Sequence, residues 1–335
     1  MGKLFKVSSS PHIRHEDSTR GIMLDVILAL CPAALYGCFL FGPRAVLIIL
    51  TTILTAVAAE AVWNWALKKQ QTIGDLSAVV TGLLIGMNLS SETPLWIAAI
   101  GSIVAIIVVK QMFGGLGFNF ANPAMTARIV LLVSFAGQIS SYVEPIEWWS
   151  LGTVDAMSSA TPLAGEAVGE LFFGAYDGAT GVAPATSYSF KQLFFGMHPG
   201  SIGETSSFLL IIGGIYLMLR RVIKPIIPVA FIGTVFVASA IAKIFTDVDL
   251  NLAIFGGGLM LGAIFMATDY VTSPTTNLGK LIFGIGCGLI TFVIRQFSPL
   301  PEGVSYAILI MNILTPHINR LTLSKPFGAV EVAKS

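Results

Sequence analysis

One hydroxyl stands out as a place where chemistry could be done. The string Asp155-Ala156-Met157-Ser158-Ser159-Ala160-Thr161, followed by Pro162-Leu163, sets one acid ahead of a run of mostly small and hydroxyl-bearing residues that ends in Thr161. A threonine hydroxyl is a poor nucleophile unaided, so a phosphoester on Thr161 requires a separate transferase and its metal. The small neighbours Ala156, Ser158, Ser159 and Ala160 would let the segment enter another enzyme's active site in extended form. The competing reading is a Ser/Thr-rich turn ended by Pro162. Downstream, Asp177-Gly178-Ala179-Thr180-Gly181-Val182-Ala183 begins like the same pattern but has Ala at the acceptor position, and it reads as a glycine-rich turn.

Other candidates sit in apolar surroundings. Asp25, Glu60 and Asp269 fall inside or at the edge of apolar runs, where ionisable groups are costly and mark functional sites by default. Asp269, closing Ala267-Thr268-Asp269, is the first choice for holding a cation or positioning a cofactor. Asp25 reads equally as an interfacial residue, and Glu60 as a buried hydrogen-bonding group with Asn64 as partner. Arg128 is expected to be the only deep cation and to pair with one of those acids. Asn119 and Asn122 open an apolar run after a glycine-rich approach; Asn is a favoured N-cap and Pro123 suits a first helical turn. Cys31, Cys38 and Cys287 are one short of the four thiolates of an ordinary cluster and read as packing residues. Scattered His12, His15, His198 and His317 argue against haem, and no metal site is expected.

The elements that must position these residues follow from composition. Of 335 residues, 55% are hydrophobic and 11% charged, with mean hydropathy +0.83. A soluble domain has about 25% charged residues, so an all-α, multi-pass membrane protein is expected. A net charge of +1 offers no basic surplus for nucleic acid. Against the roughly 20 residues needed to cross a bilayer, ten apolar runs are read near 22–41, 43–66, 76–90, 94–113, 120–140, 206–220, 225–245, 252–268, 277–296 and 303–321. The third, sixth and eighth are short and suggest broken or partly buried helices. With the N-terminus inside, fourteen of the nineteen Lys and Arg fall on the inner side and four, Arg44, Lys191, Lys243 and Arg295, on the outer. Both termini are therefore expected in the cytoplasm, and no removed signal peptide is expected.

That orientation puts residues 141–205 outside, an acidic stretch too long to be a mere connector. The two halves also resemble each other. Gly82–Met87 and Pro94 precede Gly262–Ala267 and Pro274 by 180 positions, and Gly117, Phe120, Ala121 and Met125 match Gly303, Tyr306, Ala307 and Met311 at an offset of 186. Five spans per half is odd, so the copies must have opposite topology, with sites near the midplane. The expected organisation is a cytoplasmic segment 1–21, a first five-helix repeat 22–140, an extracytoplasmic loop 141–205, a second repeat 206–321 and a cytoplasmic tail 322–335.

Five strings in order, Ser10–Arg14, Gly114–Met125, Asp155–Leu163, Phe265–Pro274 and Pro301–Ala307, resemble those of the RnfD family of the Rnf electron-transport complex. They are similar too to the homologous NqrB family of the sodium-pumping NADH:quinone oxidoreductase; the short N-terminal lead favours the Rnf member. The resemblance implies FMN attached through its phosphate to Thr161 by an FMN transferase, within the motif that includes Asp155, Ser158 and Ala160. It implies that Asn119 and Asn122 help hold a second, non-covalent flavin, riboflavin, since an amide matches a flavin ring's carbonyl and imide edge. Asp269, Asp25 and Glu60 become candidates for an ion path or flavin positioning, and Arg128 for neutralising a reduced flavin. The implied protein is an electron carrier in an ion-translocating ferredoxin:NAD⁺ oxidoreductase, coupled to Na⁺ or H⁺ movement. Its partners would be the other membrane, iron–sulfur and flavin subunits, and its place the cytoplasmic (inner) membrane of a bacterium or archaeon. It should not bind NAD itself, as no Gly-x-Gly-x-x-Gly follows a strand. Alternatives are the quinone-reductase member and a non-redox solute channel of urea-transporter-like fold, which would have no need of the Thr161 string.

Overall fold

The computed structural model describes residues 18–143, 145, 188–245, 249–298 and 302–323. These residues form helices and no strands. The first is α1, Thr19–Phe41, started by the Ser18 side chain, which accepts from the Gly21 amide at 3.1 Å. It stops at Gly42, whose φ of 77° and ψ of −165° are open only to glycine, and Pro43 then opens α2, Pro43–Ala66. The short α3, Ser77–Met87, is buried along nearly its whole length. In α4, Leu95–Ile103, the helix continues as π-helical turns over Val104–Gln111. Then comes α5, Pro123–Ser134.

The second half contains α6, Ser207–Leu219, and α7, Ile226–Ala242. The expected run 252–268 is broken: a short helix Leu250–Phe255 is followed by α8, Leu259–Leu261, which passes into π-helical turns Gly262–Met266. The chain closes with α9, Asn277–Phe297, and α10, Val304–Thr322. Among the described residues, α1, α2 and α9 are long and apolar enough to cross a membrane; α3 to α7 are shorter apolar helices. At about 1.5 Å per residue, the 23 residues of α1 exceed the roughly 30 Å hydrocarbon core.

A single large core joins both halves, while Leu35, Leu54 and Val229 stand at least 66% exposed on the outer surface, as suits side chains facing lipid. Helices approach closely where glycines remove side chains. A Cβ on Gly213 of α6 would lie 2.3 Å from the Ala29 carbonyl oxygen of α1, and one on Gly82 of α3 would lie 2.7 Å from the Thr52 carbonyl of α2. Because the obstacle at Gly213 is backbone, Gly213→Ala is expected to cost about 1–3 kcal/mol, read as a lower melting temperature in detergent.

Candidate functional site

The glycine-rich approach to α5 folds back on itself. Gly114, Gly115 and Gly117 have φ of 122°, 97° and 94°, a region L-residues rarely enter. This path delivers Asn119 and Asn122 to a cleft with a cavity of about 100 Å³. Its apolar walls come from Ile22, Met23 and Val26 of α1, Val80 and Leu84 of α3, Leu217 of α6 and Phe265 in the π-helical turns after α8. Its polar groups are Ser77, Thr81, Lys110, Asn119, Asn122, Thr268 and Asp269.

Three of the residues singled out in the sequence therefore share one cavity. The Asp269 carboxylate accepts from Thr272 Oγ1 at 3.1 Å and from the Val271 amide at 3.5 Å. Asn119 Nδ2 donates to the Ala121 carbonyl at 3.0 Å. Asn122 fulfils the capping reading: its Oδ1 accepts from the Ala124 and Met125 amides at 3.0 and 3.2 Å. Its Nδ2 donates to the Met266 carbonyl at 3.1 Å, tying the start of α5 to the end of the π-helical turns.

The other acids are placed elsewhere. Asp25 joins α1 to α6, accepting from Tyr216 Oη at 2.8 Å and pairing with the half-exposed Arg220 at 3.2 Å, as an interfacial residue would. Glu60 is fully buried, and its link to Asn64 is indirect: Asn64 Nδ2 donates to Thr72 Oγ1 at 3.0 Å, which donates to Glu60 Oε1 at 2.5 Å. Its charge partner is Lys110, whose Nζ stands 2.8 Å from Glu60 Oε2.

Two expectations about cations are corrected. Arg128 is not the only deep one: Lys110 is 2% and Arg295 8% exposed. Each is tolerated because it is answered, Lys110 by Glu60 and Arg295 by the carbonyls of Ala253 and Gly256 at the end of a short helix. Nor does Arg128 pair with Asp25, Glu60 or Asp269. It bonds Glu204 at 2.6 Å, and also Glu302 and Asn88, while Tyr142 Oη donates to Glu302 at 3.3 Å. Glu204 reads from sequence as one more acid of an exposed loop, yet it is 3% exposed. The only hint was its place, like that of Glu302, just ahead of an apolar run. Thr161 with Asp155, Ser158 and Ala160 lies outside the described residues, as does the glycine-rich turn 177–183.

What these features define is an all-helical protein with apolar helices compatible with a membrane, charges paired in its interior and an amide-and-carboxylate cleft between its halves. The chain belongs to the NQR2, RnfD, RnfE family, whose model matches residues 6–328. In Acetobacterium woodii the similar protein is the D component of the Na⁺-translocating ferredoxin:NAD⁺ oxidoreductase complex, 43% identical over 328 residues that cover 98% of this chain and 96% of that one. Identity is 41% over 329 residues with the D component of the proton-translocating ferredoxin:NAD⁺ oxidoreductase complex of Clostridium ljungdahlii, covering 97% and 96%. With the D component of the ion-translocating oxidoreductase complex of Stutzerimonas stutzeri it is 38% over 330 residues, covering 92% and 91%.

Proposed function

We propose that this chain is the flavin-bearing membrane subunit of a redox-driven ion translocase of the ferredoxin:NAD⁺ oxidoreductase type. It carries FMN on Thr161, attached by an FMN transferase, and a second flavin, riboflavin, held without a covalent bond in the cleft. The observation that carries the reading is the meeting of Asn119, Asn122 and Asp269 in one cleft. The donor set fits a flavin ring: side-chain amides and a carboxylate among aliphatic and aromatic walls. Bound flavin supplies one- and two-electron transfer. Asn119 and Asp269 orient the ring's polar edge, Asn122 fixes the start of α5 beneath it, and the apolar walls limit water.

In this reading the halves are inverted repeats, α1 to α5 answering α6 to α10 in order. Support comes from the 180-residue sequence offset and from the short α3 and α8, whose ends meet where Asn88 Nδ2 stands 3.5 Å from Met266 Sδ. Both termini lie in the cytoplasm, the side rich in Lys and Arg, and the membrane is the inner membrane of a prokaryote. Sodium appears in the name of one relative and the proton in that of another, so either ion suits the family.

The test is ultraviolet in-gel fluorescence of the denatured chain made alongside its transferase. Wild type is expected to give a flavin band and Thr161→Ala none. A band that survives the substitution removes the attachment site. Riboflavin released on denaturing the native Thr161→Ala chain, and lost in Asn119→Ala, tests the cleft separately.

A further inference from the structure

We propose that the hydrogen-bonded chain Thr72, Glu60, Lys110 and Ser77 is a proton path from the protein surface to the flavin in the cleft. The inference rests on the flavin reading above and names how that site exchanges protons. It starts from a charge placed where packing gives no reason for one. Lys110 is 2% exposed, yet it lines the cleft, and so does Ser77. A buried ion pair is often no more stabilising than apolar residues of the same volume, so the Glu60–Lys110 pair is poorly explained by stability. Lys110 also sits on π-helical turns, which occur mostly at functional sites.

The links are continuous. Thr72 is exposed, and its hydroxyl donates to Glu60 Oε1 at 2.5 Å. Glu60 Oε2 accepts from Lys110 Nζ at 2.8 Å, and Lys110 Nζ donates to Ser77 Oγ at 2.6 Å. Ser77 Oγ donates in turn to Asp75 Oδ1 at 2.6 Å. The groups facing Lys110 and the cleft are thus Glu60 from α2, Gln111 beside it after α4 (3.1 Å from Glu60 Oε1), Asp75 and Ser77 from the start of α3, and Asp269 beyond α8. Only Lys110, among these, is a cation able to donate into the cleft.

When electrons reach the ring, from a ferredoxin-type donor in the complex or from reduced methyl viologen in an experiment, Lys110 Nζ gives one proton to it, directly or through Ser77 Oγ. One N–H bond of the ammonium breaks as one forms on the ring. Glu60 then takes a solvent proton by way of the Thr72 hydroxyl and returns it to the Lys110 amine, so the path ends as it began. A lone structural ion pair would have no such dependence.

The experiment uses the full-length Thr161→Ala chain in detergent, loaded with riboflavin and checked by quenching of flavin fluorescence. It is mixed with reduced methyl viologen, which gives electrons without releasing protons, in weak buffer with a pH-indicating dye. Proton uptake is expected to keep pace with bleaching in this background. With Glu60→Gln and Lys110→Met together, which leave no unpaired charge, uptake should trail bleaching by about a hundredfold, the scale of a lost general acid. Added methylamine should shorten that lag. Ser77→Ala, which leaves the ion pair intact, should produce a smaller lag. Uptake in step with bleaching in both variants, with riboflavin still bound, overturns the path and leaves the flavin site standing. Failure of riboflavin to bind the unsubstituted cleft overturns both.

Discussion

Arg128→Met should lose about 3–5 kcal/mol of stability, the usual consequence of removing one partner from a buried ionic cluster. The arginine bonds two carboxylates, Glu204 and Glu302, each at most 8% exposed. Its fork reaches three segments at once, the loops ahead of α6 and α10 and the Asn88 cap of α3. Without it, two negative charges remain in a dry interior, with Tyr142 still donating to Glu302. The measurement is thermal unfolding in detergent, together with the yield of folded chain from membranes. Arg128→Lys should recover only part of the loss, because an ammonium lacks the planar fork that serves two carboxylates. Adding Glu204→Gln and Glu302→Gln to Arg128→Met should restore most of it. Wild-type stability in Arg128→Met alone would mean that the cluster contributes nothing to holding the halves together.

Lys110→Met alone is the second large effect, of about 3–5 kcal/mol for the same reason. Glu60, fully buried, would keep its hydrogen bonds from Thr72 and Gln111 but lose its counter-charge. The informative comparison is with the double variant carrying Glu60→Gln as well, which should be within about 1–2 kcal/mol of wild type because no charge is left unpaired. A single variant as stable as the double one would show that solvent reaches Glu60 freely. The single variant reports on stability, and the double one isolates proton movement.

Much of the site was legible in the order of residues. Asn122 was readable as a cap because an N-cap is a local device: an acceptor side chain, a proline at the first turn and an apolar run behind them. Asp269 drew attention because an acid ending an apolar run is costly unless partnered. The partners themselves were not legible. Asn119 and Asp269 are far apart in the chain, and nothing in either string says that the start of α5 and the end of the π-helical turns meet at the same cleft. Glu204 and Glu302 were overlooked because a glutamate next to a span boundary has the same sequence appearance whether it faces water or an arginine. The run 252–268 was readable as short and broken, and it is divided into separate helical pieces, but the positions of its breaks were not legible.

Hydropathy, the order of the helices and their caps depend on neighbours a few residues away, so the sequence alone determined that this is an all-helical protein with apolar helices, and roughly where each begins. Which buried charge answers which, and which polar groups line one cavity, depend on helices packing across the whole chain. Only the tertiary structure decided that Lys110 belongs to Glu60, that Arg128 belongs to Glu204 and Glu302, and that Asn119 and Asp269 line one cleft. A charge in an apolar interior must find its partner in space, and distance along the chain does not tell which partner that is.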